Sequence, residues 1–143
     1  MTKILIIEAR FYDDVHDMML AGAKEVFDTN NIKYEVITLK GALEIPAVVK
    51  MAEKSDKYNY DGYLCLGCVI RGETTHYDYV CQESCRGIMD LSLQYDIAIA
   101  NGILTVENKE QAVARANIKQ KNKGGFCANV VLDMIKIKNK FTG

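Results

Sequence analysis

The run Gly62-Tyr63-Leu64-Cys65-Leu66-Gly67-Cys68-Val69 contains no charge and no alternation of polar with apolar residues. A strand with one wet face alternates; an unbroken run predicts a strand, Tyr63 to Val69, covered on both faces. Helices packed on both sides of a parallel sheet give that cover. The rest of the chain supplies the parts. Lys3 to Glu8, Tyr34 to Leu39 and Asp96 to Ala100 read as three further strands. Asn101-Gly102 is expected to end the last of these, with Ile103 to Thr105 as a short extended piece beyond it.

Helical spacing fills the gaps between strands. Val15, Met18, Met19, Gly22, Ala23, Val26 and Phe27 mark one buried face, and Asn30-Asn31 stops that helix. Gly41 to Pro46 is a loop, with Pro46 suited to the first turn of a helix reaching about Lys54. Tyr77, Val80, Cys81, Ser84, Ile88, Leu91 and Tyr95 mark the helix after His76. Asn108 and Gln111 have the spacing of an Asn cap with a reciprocal Gln. Gly124-Gly125 is expected to break the chain before a last helix that uses Val130, Val131, Met134 and Ile135. Residues 1–143 contain no linker or repeat. They predict one domain, a parallel sheet sandwiched by helices through right-handed crossovers.

Bulk properties remove several function classes. A net charge of −1 does not support a general nucleic-acid or anionic-membrane surface. No apolar run approaches the roughly 20 residues that span a bilayer. The segment before the first strand is too short for a signal peptide, so a cytoplasmic location is expected. Five cysteines raise the question of metal. Cys65 and Cys68 lie three apart on a strand and point to opposite faces, so they cannot clamp one ion. Cys81 and Cys85 could face together on a helix, but two thiols make half a zinc site. Buried free thiols are the simpler reading, and no metal site is expected.

In an open α/β sheet the chemistry sits at the carboxyl ends of the strands. Four loops are expected there: Ala9 to Tyr12, Lys40 to Pro46, Ile70 to His76 and Asn101 to Asn108. Ile70-Arg71-Gly72-Glu73-Thr74-Thr75-His76-Tyr77-Asp78 is the most pointed of them. Thr74 and Thr75 offer hydroxyls and helix-start N–H groups to an anion, and His76 can move a proton near neutral pH. Phosphate binding with proton transfer is the first reading, against a helix-start histidine with local bonds only. For Phe11 the residues leave open a ring that stacks on a heterocycle or one that lids the core. Glu44 by itself suits a helix start. Arg115 in a helix reads as a solvated ion-pair partner or a phosphate ligand. His16, among acidic neighbours, reads as a surface residue. There is no Gly-rich phosphate loop and no strand-end serine elbow.

Taken together, Arg10-Phe11, Gly41 to Pro46, Leu66 to Asp78, Gly102 to Thr105, Gln111 to Ala116 and Asn122-Lys123-Gly124 resemble the 6,7-dimethyl-8-ribityllumazine synthase family of riboflavin biosynthesis. They occur in the family's order and spacing from Lys3 almost to the C-terminus. The resemblance implies a three-layer α-β-α sandwich on a four-stranded, mainly parallel, flavodoxin-like sheet. It implies a transferase that condenses 5-amino-6-(D-ribitylamino)uracil with 3,4-dihydroxy-2-butanone 4-phosphate. By that likeness Phe11 stacks on the pyrimidine. Ala42, Leu43, Glu44, Cys68, Val69 and Ile70 hold the pyrimidine and ribityl chain, with Asn101 contributed by a neighbouring subunit. Glu73, Thr74 and Arg115 hold the phosphate, Thr75 and Lys123 are further candidates for the site, and His76 shuttles the proton. No cofactor is implied.

The resemblance further implies a homo-oligomer with active sites at subunit interfaces and an association with riboflavin synthase. Because the chain lacks the N-terminal extension of shell-forming members, and Lys121 stands where some of them have Gly, the expectation is an isolated pentamer or paired decamer rather than a sixty-subunit shell. Three positions depart from the family pattern: Asn101 where Phe is common, Cys68 where Thr is frequent, and Leu43 where an aromatic is frequent. Same-fold alternatives are a riboflavin synthase of archaeal type, a flavin or lumazine binder without turnover, and a flavodoxin-like electron carrier.

Overall fold

Alternation of apolar strands with amphipathic helices gives the order β1 (Lys3–Ala9), α1 (Asp13–Thr29), β2 (Lys33–Leu39), a 3-10 turn (Ala42–Glu44), α2 (Ile45–Glu53), β3 (Gly62–Ile70), α3 (His76–Tyr95), β4 (Ile99–Val106), α4 (Lys109–Ala116) and α5 (Lys123–Thr142) in a computed structural model that describes residues 1–142. The strand order is β2-β1-β3-β4 and every pairing is parallel, which sharpens the expected mainly parallel sheet. Ile6 lies between Val36 and Leu64, so β1 and β3 form the centre.

Period-two alternation of the strands divides the interior into two cores. Ile4, Ile6, Leu64, Leu66 and Cys68 face Met19, Ala23, Phe27, Ala128 and Val131 of α1 and α5. Leu5, Ile7, Tyr63 and Cys65 face Ile45, Val49, Val80, Ile88 and Leu91 of α2 and α3. The three-layer sandwich follows directly. Complete burial of a side chain such as Phe27 or Ile6 contributes about 1.5–3 kcal/mol. Cys65 and Cys68 do sit in opposite cores, and all five thiols are free. Among the described residues no three potential ligands cluster to hold a metal, and no helix is long and apolar enough to cross a membrane.

Helix ends agree with the local chemistry. Asn31 and Asp96 take left-handed backbone, φ 57° and 52°, just past α1 and α3, as Asn and Asp can do more readily than other non-glycine residues. Pro46 sits in the first turn of α2. The α4 cap is reciprocal: Asn108 Oδ1 accepts from the Gln111 N–H at 2.9 Å, and Gln111 Oε1 accepts from the Glu107 N–H at 2.8 Å.

Three expectations are overturned. Gly124-Gly125 does not break the chain but lies in the first turn of α5, capped by Asn122, whose Oδ1 accepts from the Gly125 N–H at 3.2 Å. A Cβ at Gly124 would collide with the Met19 carbonyl oxygen, so the glycine is there to let α5 press on α1. Asn101-Gly102 does not end a strand either. Asp96 caps α3, and β4 runs unbroken over Ile99–Val106, because pairing with β3 overrides the local turn preference. His16 is fully buried, not on the surface. It falls three residues before Met19 on the inward side of α1.

Candidate active site

The strand order changes direction between β1 and β3, since β2 lies on one side of β1 and β3 on the other. A crevice opens outside the carboxyl ends of strands at such a switch point. Here it is a pocket of about 350 Å³. Its walls come from the exit of β1 (Ala9, Phe11, Tyr12), the exit of β2 (Lys40 to Glu44), the end of β3 (Cys68, Val69, Ile70) and the start of α3 (His76, Val80).

Each wall has a local cause. Phe11 is 75% exposed and its ring meets the Tyr12 ring edge-on at 4.9 Å, so it faces the pocket mouth and does not lid the core. Tyr12 also lies under the Lys109 ammonium, 5.8 Å from the ring centre, and Lys109 pairs with Asp14 at 3.0 Å. Gly41 has no side chain, and the Glu44 carboxylate folds back into that space, 2.6 Å from where a Cβ would stand. Ala42 is buried while Leu43 and Glu44 are exposed. Burial pushes the Cys68 thiol up to about 11, with Lys109 partly opposing, so it stays protonated near neutral pH. At this position it supplies shape and is no nucleophile.

The segment between β3 and α3 is tied at its base. The Arg71 guanidinium stacks 4.3 Å from the Tyr77 ring centre, pairs with Glu107 at 2.6 Å and with Asp78 at 3.4 Å. Its backbone N–H donates to the Val106 carbonyl at 3.0 Å, linking the exits of β3 and β4. Gly72 to Thr75 are exposed beyond that clasp. The Thr74 hydroxyl accepts from the His76 N–H at 3.3 Å, so one of the helix-start donors expected for an anion already has a partner.

The remaining candidates do not line this pocket. Glu73, Thr74 and Thr75 stand on the loop above His76. Asn101 is not in a strand-exit loop, as the sequence suggested; it lies within β4 opposite Cys65, and the exit begins only at Glu107. Its Oδ1 accepts from the Ile103 N–H at 3.0 Å and its Nδ2 donates to Cys85 Sγ at 3.5 Å. Arg115 is half-buried on α4, donating from Nη1 to the Gln111 carbonyl at 3.1 Å. Lys123 opens α5 with its ammonium 4.8 Å from the Phe126 ring centre. None of these three lines the pocket: Asn101 lies on β4, Arg115 on α4 and Lys123 at the start of α5.

Sequence reasoning had not singled out Ala9, Tyr12, Lys40, Gly41 and Val80 as site residues. The signal was available. Ala9 and Tyr12 flank Phe11, Lys40-Gly41 opens the second loop, and Val80 follows His76 by one helical turn.

Comparison with known proteins gives the family. A family described as 6,7-dimethyl-8-ribityllumazine synthase matches residues 1–139. A protein of that name from Bartonella henselae is 52% identical over 138 residues, covering 96% of this chain and 89% of its own length. One from Agrobacterium fabrum is 52% identical over 143 residues, covering 98% and 97%. One from Novosphingobium aromaticivorans is 49% identical over 142 residues, covering 99% and 100%. With the match running almost from end to end over a pocket at the switch point, the chain belongs to the 6,7-dimethyl-8-ribityllumazine synthase family.

Proposed function

We propose that this chain is a riboflavin-biosynthesis transferase that joins 5-amino-6-(D-ribitylamino)uracil to 3,4-dihydroxy-2-butanone 4-phosphate, releasing phosphate and water. The observation that carries the reading is the switch-point pocket with Phe11, Glu44 and His76 on its walls.

Phe11 is the stacking surface for the pyrimidine, free to act because its ring is not packed into the core. Ala42, Leu43 and Glu44 on one wall and Cys68, Val69 and Ile70 on the other bracket the pyrimidine and the ribityl chain. The Glu44 carboxylate suits a polyol. The substrate amine attacks the ketone without help from an enzyme nucleophile. Phosphate elimination and ring closure then need proton transfers, which His76 performs from the start of α3, for the ~10²–10⁴-fold typical of such help. Alignment of two substrates supplies more, roughly 7–11 kcal/mol in well-oriented cases.

Glu73 and Thr74, with Thr75 at the margin, hold the phosphate on the exposed loop. Arg115 and Lys123 add positive charge to it, and Asn101 meets the pyrimidine. Since none of these last three lines the pocket of its own chain, the reading assigns them to a neighbouring subunit that closes it. A ring of five copies meets that need, working in the cytoplasm alone, as a pair of rings, or together with a riboflavin synthase.

The test is lumazine formation and phosphate release from both substrates, with the uncatalysed condensation subtracted. Equal release of both products above background, with losses for His76→Ala and Arg115→Ala, supports the reading. Tight lumazine or flavin binding without turnover refutes it.

A further inference from the structure

Among the inward positions of β1, Glu8 is out of place. Its neighbours along the strand are Ile6, Ile7 and Ala9, yet its side chain is only 4% exposed. Burying a carboxylate is unfavourable unless it is fully paired, and an aliphatic residue would fill this place more easily. The carboxylate is paired closely. Oε2 accepts from the Thr38 hydroxyl of β2 at 2.7 Å and from Arg10 Nε at 3.4 Å, and Oε1 accepts from Arg10 Nη2 at 3.0 Å. Arg10 continues the chain of contacts. Nη1 donates to Asp17 Oδ1 of α1 at 2.6 Å, and its backbone N–H donates to the Leu39 carbonyl at 2.9 Å. One carboxylate thus ties together the end of β1, the end of β2 and the first turns of α1.

Both pyrimidine-side walls of the pocket leave the sheet within two or three residues of this cluster. Phe11 follows Arg10, and Lys40-Gly41 follows Thr38-Leu39. Phe11 is the wall residue most in need of an anchor. Its ring is three-quarters exposed, and among the described residues Tyr12 is its one aromatic neighbour, so side-chain packing holds it only weakly. A ring displayed in that way binds well only when its backbone is fixed beforehand.

We propose that Glu8 is a positioning residue for the reaction: through Arg10 and Thr38 its buried carboxylate fixes the β1 and β2 exits so that Phe11 is held ready for the pyrimidine. The proposal rests on the reading of this pocket as the pyrimidine site. Glu8 touches no substrate and moves no proton; its effect falls on binding of one substrate.

The test uses the full-length chain and Glu8→Gln, Arg10→Lys, Asp17→Asn and Phe11→Ala, each checked for native circular dichroism. Steady-state rates are measured with each substrate varied in turn, and binding of the lumazine product is followed by its fluorescence. Glu8→Gln and Arg10→Lys are expected to raise KM for the pyrimidine by about tenfold and to weaken product binding alike. At saturation kcat stays within about twofold, and KM for the phosphate substrate does not move. Asp17→Asn, on an exposed side chain, shifts KM in the same direction by less. Unchanged pyrimidine KM and product binding in folded Glu8→Gln, while Phe11→Ala raises both, overturns the positioning role and leaves the pocket reading intact. No effect of Phe11→Ala overturns the pocket reading and the proposal with it. A fall in kcat for both substrates without a KM change marks a merely structural role and also overturns it. If Glu8→Gln does not fold, Arg10→Lys decides: unchanged KM there sinks the proposal.

Discussion

Replacing His16 with Leu is expected to stabilise this protein and to flatten its loss of stability in acid. The imidazole is fully buried in α1, and neither ring nitrogen has a hydrogen-bond partner among the described residues. A neutral imidazole has one donor and one acceptor, so both are stranded. Each unsatisfied buried polar group costs about 1–3 kcal/mol, and Leu has a similar volume with nothing to satisfy. The gain near pH 7 is therefore about 1–3 kcal/mol after allowing for imperfect packing. Burial lowers the His16 pKa, reinforced by the Arg10 guanidinium and opposed by Glu8, Asp13 and Asp17. With the folded pKa depressed, the unfolded chain takes up a proton that the folded chain refuses. The folded state is favoured above the unfolded value near 6.5 and loses ground as pH falls below it. As pH falls from 7 to 5 this one group takes stability from the parent and not from the variant. Urea unfolding at pH 5, 6 and 7, at one fixed protein concentration, measures both effects. The difference between parent and variant is expected to widen toward pH 5, because other titrating groups cancel in it. Parallel curves would show that the ring is solvated or partnered, and that the burial argument is wrong.

Two other substitutions test the helix contacts. Gly124→Ala is expected to lower stability by about 1–3 kcal/mol, because the new methyl meets the Met19 backbone. Helix propensity alone would raise it by about 1 kcal/mol, so the sign of the Tm change decides. Asn108→Ala removes the side-chain acceptor of the Gln111 N–H and is expected to cost about 1 kcal/mol, whereas Asn108→Asp is near neutral. Equal Tm values for the two Asn108 variants would refute the capping assignment.

What the sequence made legible was what local chemistry and periodicity decide. The unbroken apolar run of β3 predicted its burial on both faces, and the alternation of elements predicted a parallel sheet. The cap at Asn108, the breaks near Asn31 and the helix-start Pro46 were readable because each depends on a few adjacent residues. The errors share a cause. Gly124-Gly125 and Asn101-Gly102 carry turn residues, but partners distant in sequence, Met19 on α1 and the β3 backbone, decide their conformation. His16 was misjudged because three acidic neighbours outweighed its place three residues before Met19 on the buried face.

The site divides in the same way. Phe11, Glu44 and His76 could be picked out because strand exits can be located from sequence, and the switch point brings those exits around one pocket; Cys68, inside β3, came only with the family resemblance. The partners Tyr12, Lys40 and Val80 were missed because their residue types carry no chemical signal, only position. Asn101 on β4, Arg115 on α4 and Lys123 on α5 do not line the pocket of their own chain. If they act on the same substrates, they do so across a subunit boundary. The prediction is then concrete. Inactive Arg115→Ala chains mixed with inactive His76→Ala chains in one assembly regain activity, because some pockets receive His76 from one chain and Arg115 from its neighbour. Failure of mixed assemblies to exceed either parent would place both residues in one chain's site and refute the division.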